Sequence, residues 1–150
     1  MPHHIRRRLR DHVVSLLAAG VSPALLPPGR VLKSRVRELG EDELPAILVY
    51  ALRETAARQS YDALDRVLEL AIDIRVAAND GLDDMLDGLA AAVEVLMDMD
   101  PSLGGLAQDS MLAETEIGLA GGQGVVTNGA ALLKYRVRTV TPTGQPGGIE

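Results

Sequence analysis

Three groups of residues have the types that chemistry needs: His3, His4 and His12, the basic cluster Arg6, Arg7, Arg8 and Arg10, and an acidic run from Asp80 to Asp100. Histidine titrates near neutrality and serves as general base or metal ligand. No serine or aspartate is spaced to make a local catalytic signature with these three, although a triad is assembled in space rather than along the chain. His3 and His4 also sit at a terminus expected to fray. Carboxylates are so plentiful that no pair singles itself out for acid–base work. No motif demands an enzyme, and the expectation is a non-catalytic protein with no cofactor.

The acidic run holds seven Asp or Glu and no Lys or Arg, which suits a magnesium or calcium site, a wall repelling DNA, or a helix face turned to solvent or a partner. A calcium loop is excluded by spacing, because the alternating acidic ligands and the closing glutamate are missing. The solvated or partner-facing helix is the expectation, with no metal site. Arginine clusters bind phosphates, so Arg6–Arg10 raises the alternative of a small nucleic-acid-binding module. Against it, the chain carries a net charge of −6 and has no Phe or Trp and only Tyr50, Tyr61 and Tyr135 on which bases would stack. A solvated or subunit-facing helix end is the simpler reading. Gly122-Gln123-Gly124 makes no phosphate cradle, since neither a Gly-Lys-Ser/Thr nor a third spaced glycine follows.

These residues must be positioned by regular elements. Residues 61–97 read as one long strand running into one helix. Leu68, Leu70, Ile72, Ile74 and Val76 alternate with Glu69, Ala71, Asp73 and Arg75, the period of a half-buried strand. After Asn79-Asp80-Gly81 the spacing changes to Leu82, Met85, Leu86, Leu89, Val93, Leu96 and Met97, one face of a helix that Asp80 is placed to cap. Asp83, Asp87, Glu94 and Asp98 share its polar side. A strand over residues 64–77 would span on the order of 40 Å at ~3.3 Å per residue, so part of it is expected to project, as a hairpin arm or as a surface completed by another chain.

Upstream, Ile5, Leu9, Val13, Leu16 and Leu17 predict an amphipathic helix over residues 3–19, stopped by Gly20 and Pro23. A proline-rich turn leads to a short edge strand over residues 30–37. Residues 46–52 form a continuous apolar run, the candidate for a strand at mid-sheet. Residues 53–62 are polar and read as a loop or a turn of helix. Downstream, Met111, Ala113, Thr115, Ile117 and Leu119 alternate as a further strand, and residues 118–129 read as a flexible connection. Leu133, Tyr135, Val137 and Thr139 alternate with Lys134, Arg136 and Arg138 in a last strand with one apolar and one basic face. Residues 141–150, rich in Pro and Gly, are expected to be a flexible tail.

The chain's 150 residues suit one domain over 1–140. The absence of cysteine excludes a disulfide framework, and no apolar run reaches the ~20 residues of a membrane span. A soluble, unexported protein is expected. Through Arg37 there are eight basic residues against Asp11 alone, and all other acidic residues follow. One copy's basic end is thus suited to another copy's acidic region.

Asp42-Glu43-Leu44-Pro45-Ala46-Ile47-Leu48-Val49-Tyr50, the Asp83-Asp84-Met85-Leu86-Asp87 helix start, Leu103-Gly104-Gly105-Leu106 and Leu133-Lys134-Tyr135-Arg136-Val137 appear in the order of helix, strand, long strand, helix and closing strand. Over residues 3–140 the chain so resembles the lambda-type siphophage tail terminator family. It departs from that pattern in residues 53–62, in its Arg-rich first helix and in its Gly/Pro tail. The resemblance implies a single α/β (α+β) domain that forms a hexameric ring, binds the tail tube protein at the head-proximal end of the tail, stops tube polymerisation and meets a head-completion or connector protein. It implies no catalytic residues, DNA only as passing cargo, no membrane, and a location in the virion after assembly in the host cytoplasm. Another neck or head-closure protein of the same virion is the alternative. The fold expected is a mixed sheet of four to five strands flanked by two amphipathic helices, with a projecting long hairpin. The residues expected at subunit or partner contacts are Arg6, Arg7, Arg10, Arg75, Asp83, Asp87, Glu94, Arg136 and Arg138.

Overall fold

The computed structural model describes residues 2–33, 39–78, 80–120 and 127–148. The long alternating stretch is the middle of the structure: strand β3 (Ala63–Ala78) is third in a five-stranded mixed sheet of order β1-β2-β3-β5-β4. Its even positions from Leu68 to Val76 are buried on one face, as period two requires. β2 (Ala46–Ser60) pairs antiparallel on one side of it and β5 (Thr127–Pro142) on the other, with β4 (Asp109–Ala120) beyond β5. β1 (Val31–Leu32) is parallel to β2 and meets it only at Ile47 and Leu48.

Helix α1 (Ile5–Gly20) buries Ile5, Leu9, Val13 and Leu17, and α2 (Leu82–Met99) buries Leu86, Leu89, Val93 and Met97. Both stripes join one aliphatic cluster with Leu68, Leu70, Ile72 and Ile74 from a single face of β3, so the two helices lie on the same face of the sheet. This is the α+β architecture expected from sequence. The opposite face carries Leu48, Ala71 and Asp73, all buried, beside a cavity of about 630 Å³ lined in part by Leu39, Leu44, Arg75 and Leu132.

Several expectations are corrected. Residues 53–62 are neither loop nor helix, because β2 continues to Ser60 and turns at Tyr61 and Asp62 directly into β3. Ladder hydrogen bonds do not require apolar side chains, and residues 55–62 are exposed on an arm beyond the helices. The apolar run in β2 is buried from Ala46 to Val49, yet mid-sheet belongs to β3. Asp80 does not cap α2: the cap residue is Gly81 at φ 68°, and Asp80 Oδ1 instead accepts from the Gly81 N–H at 2.8 Å.

The connection expected over residues 118–129 is shorter, since β4 reaches Ala120 and β5 starts at Thr127; residues 121–126 lie outside the described residues, as do 34–37 of the expected edge strand. β4 also departs from strict alternation, because a bulge between Leu112 and Glu114 shifts its register and Met111 and Ile117 stand exposed. Thr141 and Pro142, expected in the tail, belong to β5, and Pro146 accepts from the Ile5 N–H at 2.7 Å while the Arg8 guanidinium donates to the Gly147 carbonyl.

Candidate assembly interface

Of the residues that sequence offered as chemistry, His4, His12 and Asp100 are tied into the fold. His12 Nε2 lies 2.6 Å from Asp100 Oδ2, joining α1 to the end of α2, and Asp100 Oδ1 accepts from the Gly104 N–H at 3.0 Å. His4 caps α1, its Nδ1 accepting from the Arg6 N–H at 3.1 Å. Burial, reinforced by the Arg6 and Arg66 cations, holds His4 below the ordinary imidazole range, in keeping with a neutral acceptor. Among the described residues no three His, Asp or Glu come together to hold a metal ion, and no helix is long and apolar enough to cross a membrane.

The Gly104 N–H first, and the His12 ring second, hold the Asp100 carboxyl below its ordinary value of 3.8. A lowered carboxyl stabilises the fold above its unfolded value and loses that contribution as pH falls through the folded one. Asp100→Asn is therefore expected to lower stability near neutrality and to flatten the loss of stability below roughly pH 5. Denaturant titrations of both proteins across the acid range measure this, and parallel acid limbs would refute it.

The nine expected contact residues fall into three regions. Arg6 and Arg7 lie at the start of α1: Arg6 pairs with Glu54 of β2 at 3.2 Å, and Arg7 with Asp11 at 3.8 Å. Arg10, one turn on from Arg6, is half-buried, and its Nε is buried with no partner among the described residues. Arg75, Arg136 and Arg138 lie on the helix-free face of the sheet, where the basic side of β5 is met by acids on both neighbours. Arg75 pairs with Asp73 at 3.0 Å, and Arg138 takes Asp65 through Nε and Nη2 at 2.9–3.2 Å. Each partner of that last pair shifts the other in the expected sense, Asp65 down and Arg138 up. Lys134 reaches Glu114 and Glu116 at 3.3 Å and is raised by them, the Glu116 hydrogen bond foremost. Arg136 is exposed and has no ion-pair partner among the described residues.

The third region is the outer face of α2, where Asp83, Asp84, Asp87, Glu94 and Asp98 are all exposed. Beside its C-terminal half runs a groove of about 400 Å³ between α2 and β4, with Glu94, Val95 and Asp98 on the helix side and Met111 and Leu112 on the strand side. Tyr135 forms part of its lining, and burial first, then Glu94 and Asp98, raises that phenol above its ordinary range. Tyr61, Val95, Met99 and Met111, the exposed large apolar side chains of the arm tip and this groove region, are not among the contacts expected from sequence. An aromatic in a polar turn and a Met or Val on the acidic side of a helix were the signals available.

Among the described residues the sheet leaves backbone unpaired at both flanks. Among the described residues β4 has no outer neighbour, and β2 has none beyond Leu48. β4 carries Asp109, Glu114 and Glu116 and no base, whereas the open part of β2 carries exposed Arg53 and Arg58. An open edge is a template for pairing with another chain.

No family model matches the chain, and no curated protein matches it. Among solved structures, a chain of the virion of native gene transfer agent (GTA) particle is similar at a TM-score of 0.46 and 12 % identity, covering 87 % of this chain and 94 % of that one.

Proposed function

We propose that this chain is a structural subunit of a phage-type virion, a tail terminator whose copies close into a ring on the head-proximal end of the tail tube. The observation that carries this reading is the pair of unlike open edges at opposite flanks of one sheet. Two such edges cannot both be satisfied by a two-fold dimer using one patch, whereas head-to-tail contacts satisfy both and close into a ring when the rotation allows. The acidic outer side of α2 fits either a DNA channel, which it would keep from binding its cargo, or a basic neighbour. The resemblance in sequence adds the hexameric number, the tail tube protein below and the head-completion protein above.

The arginines of α1 support the nucleic-acid alternative poorly, because Arg6, Arg7 and Arg8 are engaged by Glu54, Asp11 and the Gly147 carbonyl. Mass measurement over a concentration and magnesium series, followed by imaging with purified tail tubes, tests the assignment. A ring-sized species seated on one end of each tube, with tube growth halted, is expected. Monomers under every condition, tube ends included, would overturn it, and salt-sensitive DNA affinity lost on changing Arg6, Arg7 and Arg8 would replace it with the nucleic-acid module.

A further inference from the structure

The tip of the β2–β3 arm presents Tyr61 with 91 % of its surface exposed. This exposure is held in place rather than left loose. Arg58 Nη1 donates to the Tyr61 carbonyl at 2.7 Å, Ser60 Oγ bonds Asp62 Oδ1 at 2.9 Å, and the Thr143 N–H donates to the Asp62 carbonyl at 2.8 Å, anchoring the turn to the chain just past β5. A tyrosine removes roughly 150–250 Å² from water when buried and keeps its hydroxyl for a rim partner. An ordered aromatic presented this way is the type of anchor that dominates protein interfaces.

The α2/β4 groove offers what such an anchor needs. Val95 is 60 % exposed and Met111 62 %, and Met99, outside the lining but one turn beyond Val95 on the helix, is 75 % exposed. Met97, Leu112 and Tyr135 complete the apolar lining. Methionine side chains adapt to an entering ring and gain from sulfur–aromatic contact. Glu94 and Asp98 make the rim acidic with no base in the lining, while Arg53 and Arg58 make the arm's open strand basic.

Knob and groove cannot meet within one molecule, because β3 and β5 lie between the strand that carries the arm and β4. We infer that the arm tip of one copy inserts Tyr61 into the α2/β4 groove of the next copy, with Arg53 and Arg58 facing the Glu94 and Asp98 rim. This contact rests on the ring reading above and names the residues that join neighbouring subunits. It also gives residues 53–62, the departure from the family pattern, a use: an arm that reaches the adjacent copy.

Because the chain has no cysteine, single substitutions report the contact cleanly. Tyr61→Cys and Val95→Cys proteins are prepared separately, mixed with tail tubes and oxidised. A disulfide-linked pair containing one chain of each is expected, absent from either protein alone and absent when Leu25→Cys, at an exposed position in the loop after α1, replaces Val95→Cys. Tyr61→Ala, at a position too exposed to perturb the fold, is expected to weaken self-association at least tenfold with an unchanged circular dichroism spectrum. Rings that form without the mixed disulfide, or whose assembly is indifferent to Tyr61→Ala, overturn the contact and leave the ring reading standing. Absence of any assembly overturns both. Protection of Val95→Cys by tube protein alone, with no link to Tyr61→Cys, assigns the groove to the tube and overturns the contact.

Discussion

Glu54→Ala is expected to destabilise the fold by about 3 kcal/mol, the lower end of what breaking a buried ion pair costs. Glu54 sits where the arm leaves the body. Its Oε2 accepts from Arg66 Nη1 at 3.0 Å and its Oε1 from Arg6 Nη1 at 3.2 Å, while Arg66 Nε donates to Thr141 Oγ1 at 2.8 Å. Arg66 is only 8 % exposed, so removing the carboxylate leaves a guanidinium shielded from water with Thr141 as its remaining partner in this cluster. The penalty comes from that stranded charge rather than from the lost attraction alone. Urea unfolding followed by circular dichroism measures it as a lower midpoint at unchanged slope. Combining Glu54→Leu with Arg66→Met removes both charges and is expected to recover most of the loss. A single variant as stable as the parent would mean that Arg66 regains water without the carboxylate.

Ile72→Ala is expected to cost about 4 kcal/mol, within the range for truncating a fully buried aliphatic. Ile72 lies at the centre of β3, with Val49 and Leu133 opposite it on the neighbouring strands and both helix stripes in the same cluster. The chain has no Phe or Trp, and the branched residues around the site have few rotamers with which to fill a void. Ile117→Ala is the matched comparison. Ile117 is also an alternating isoleucine in a strand, but it is 63 % exposed, and its truncation is expected to change stability by less than about 0.5 kcal/mol. Equal losses at the two positions would contradict the placement of the core.

That comparison shows where local pattern stops. Periodicity reports that one side of a segment differs from the other, and it found β3, α1, α2 and β5 because each buries a complete stripe. It does not report how far cover extends. Ile117 has the pattern of a core residue but lies past the bulge on the outermost strand, and residues 53–60 lack the pattern but are strand because β3 beside them supplies ladder partners. The cap of α2 went to Gly81 for a similar reason: the turn into the helix takes a left-handed backbone there, which glycine adopts without the cost of a Cβ.

From the residues alone came the aliphatic core, the long central strand running into an acidic helix, the polarity of charge along the chain and the case against local catalytic or phosphate-binding motifs, because each depends on residue types and near-neighbour spacing. Only the tertiary structure decided which charges are spent and which are free. It paired Arg6 with Glu54, Arg138 with Asp65 and His12 with Asp100 across separations of 48, 73 and 88 residues, and it set Tyr61 and the α2/β4 groove on opposite sides of one sheet. Ion pairs, edges and grooves are properties of strand order and register, and those are settled by contacts between segments distant in sequence, where spacing carries no information.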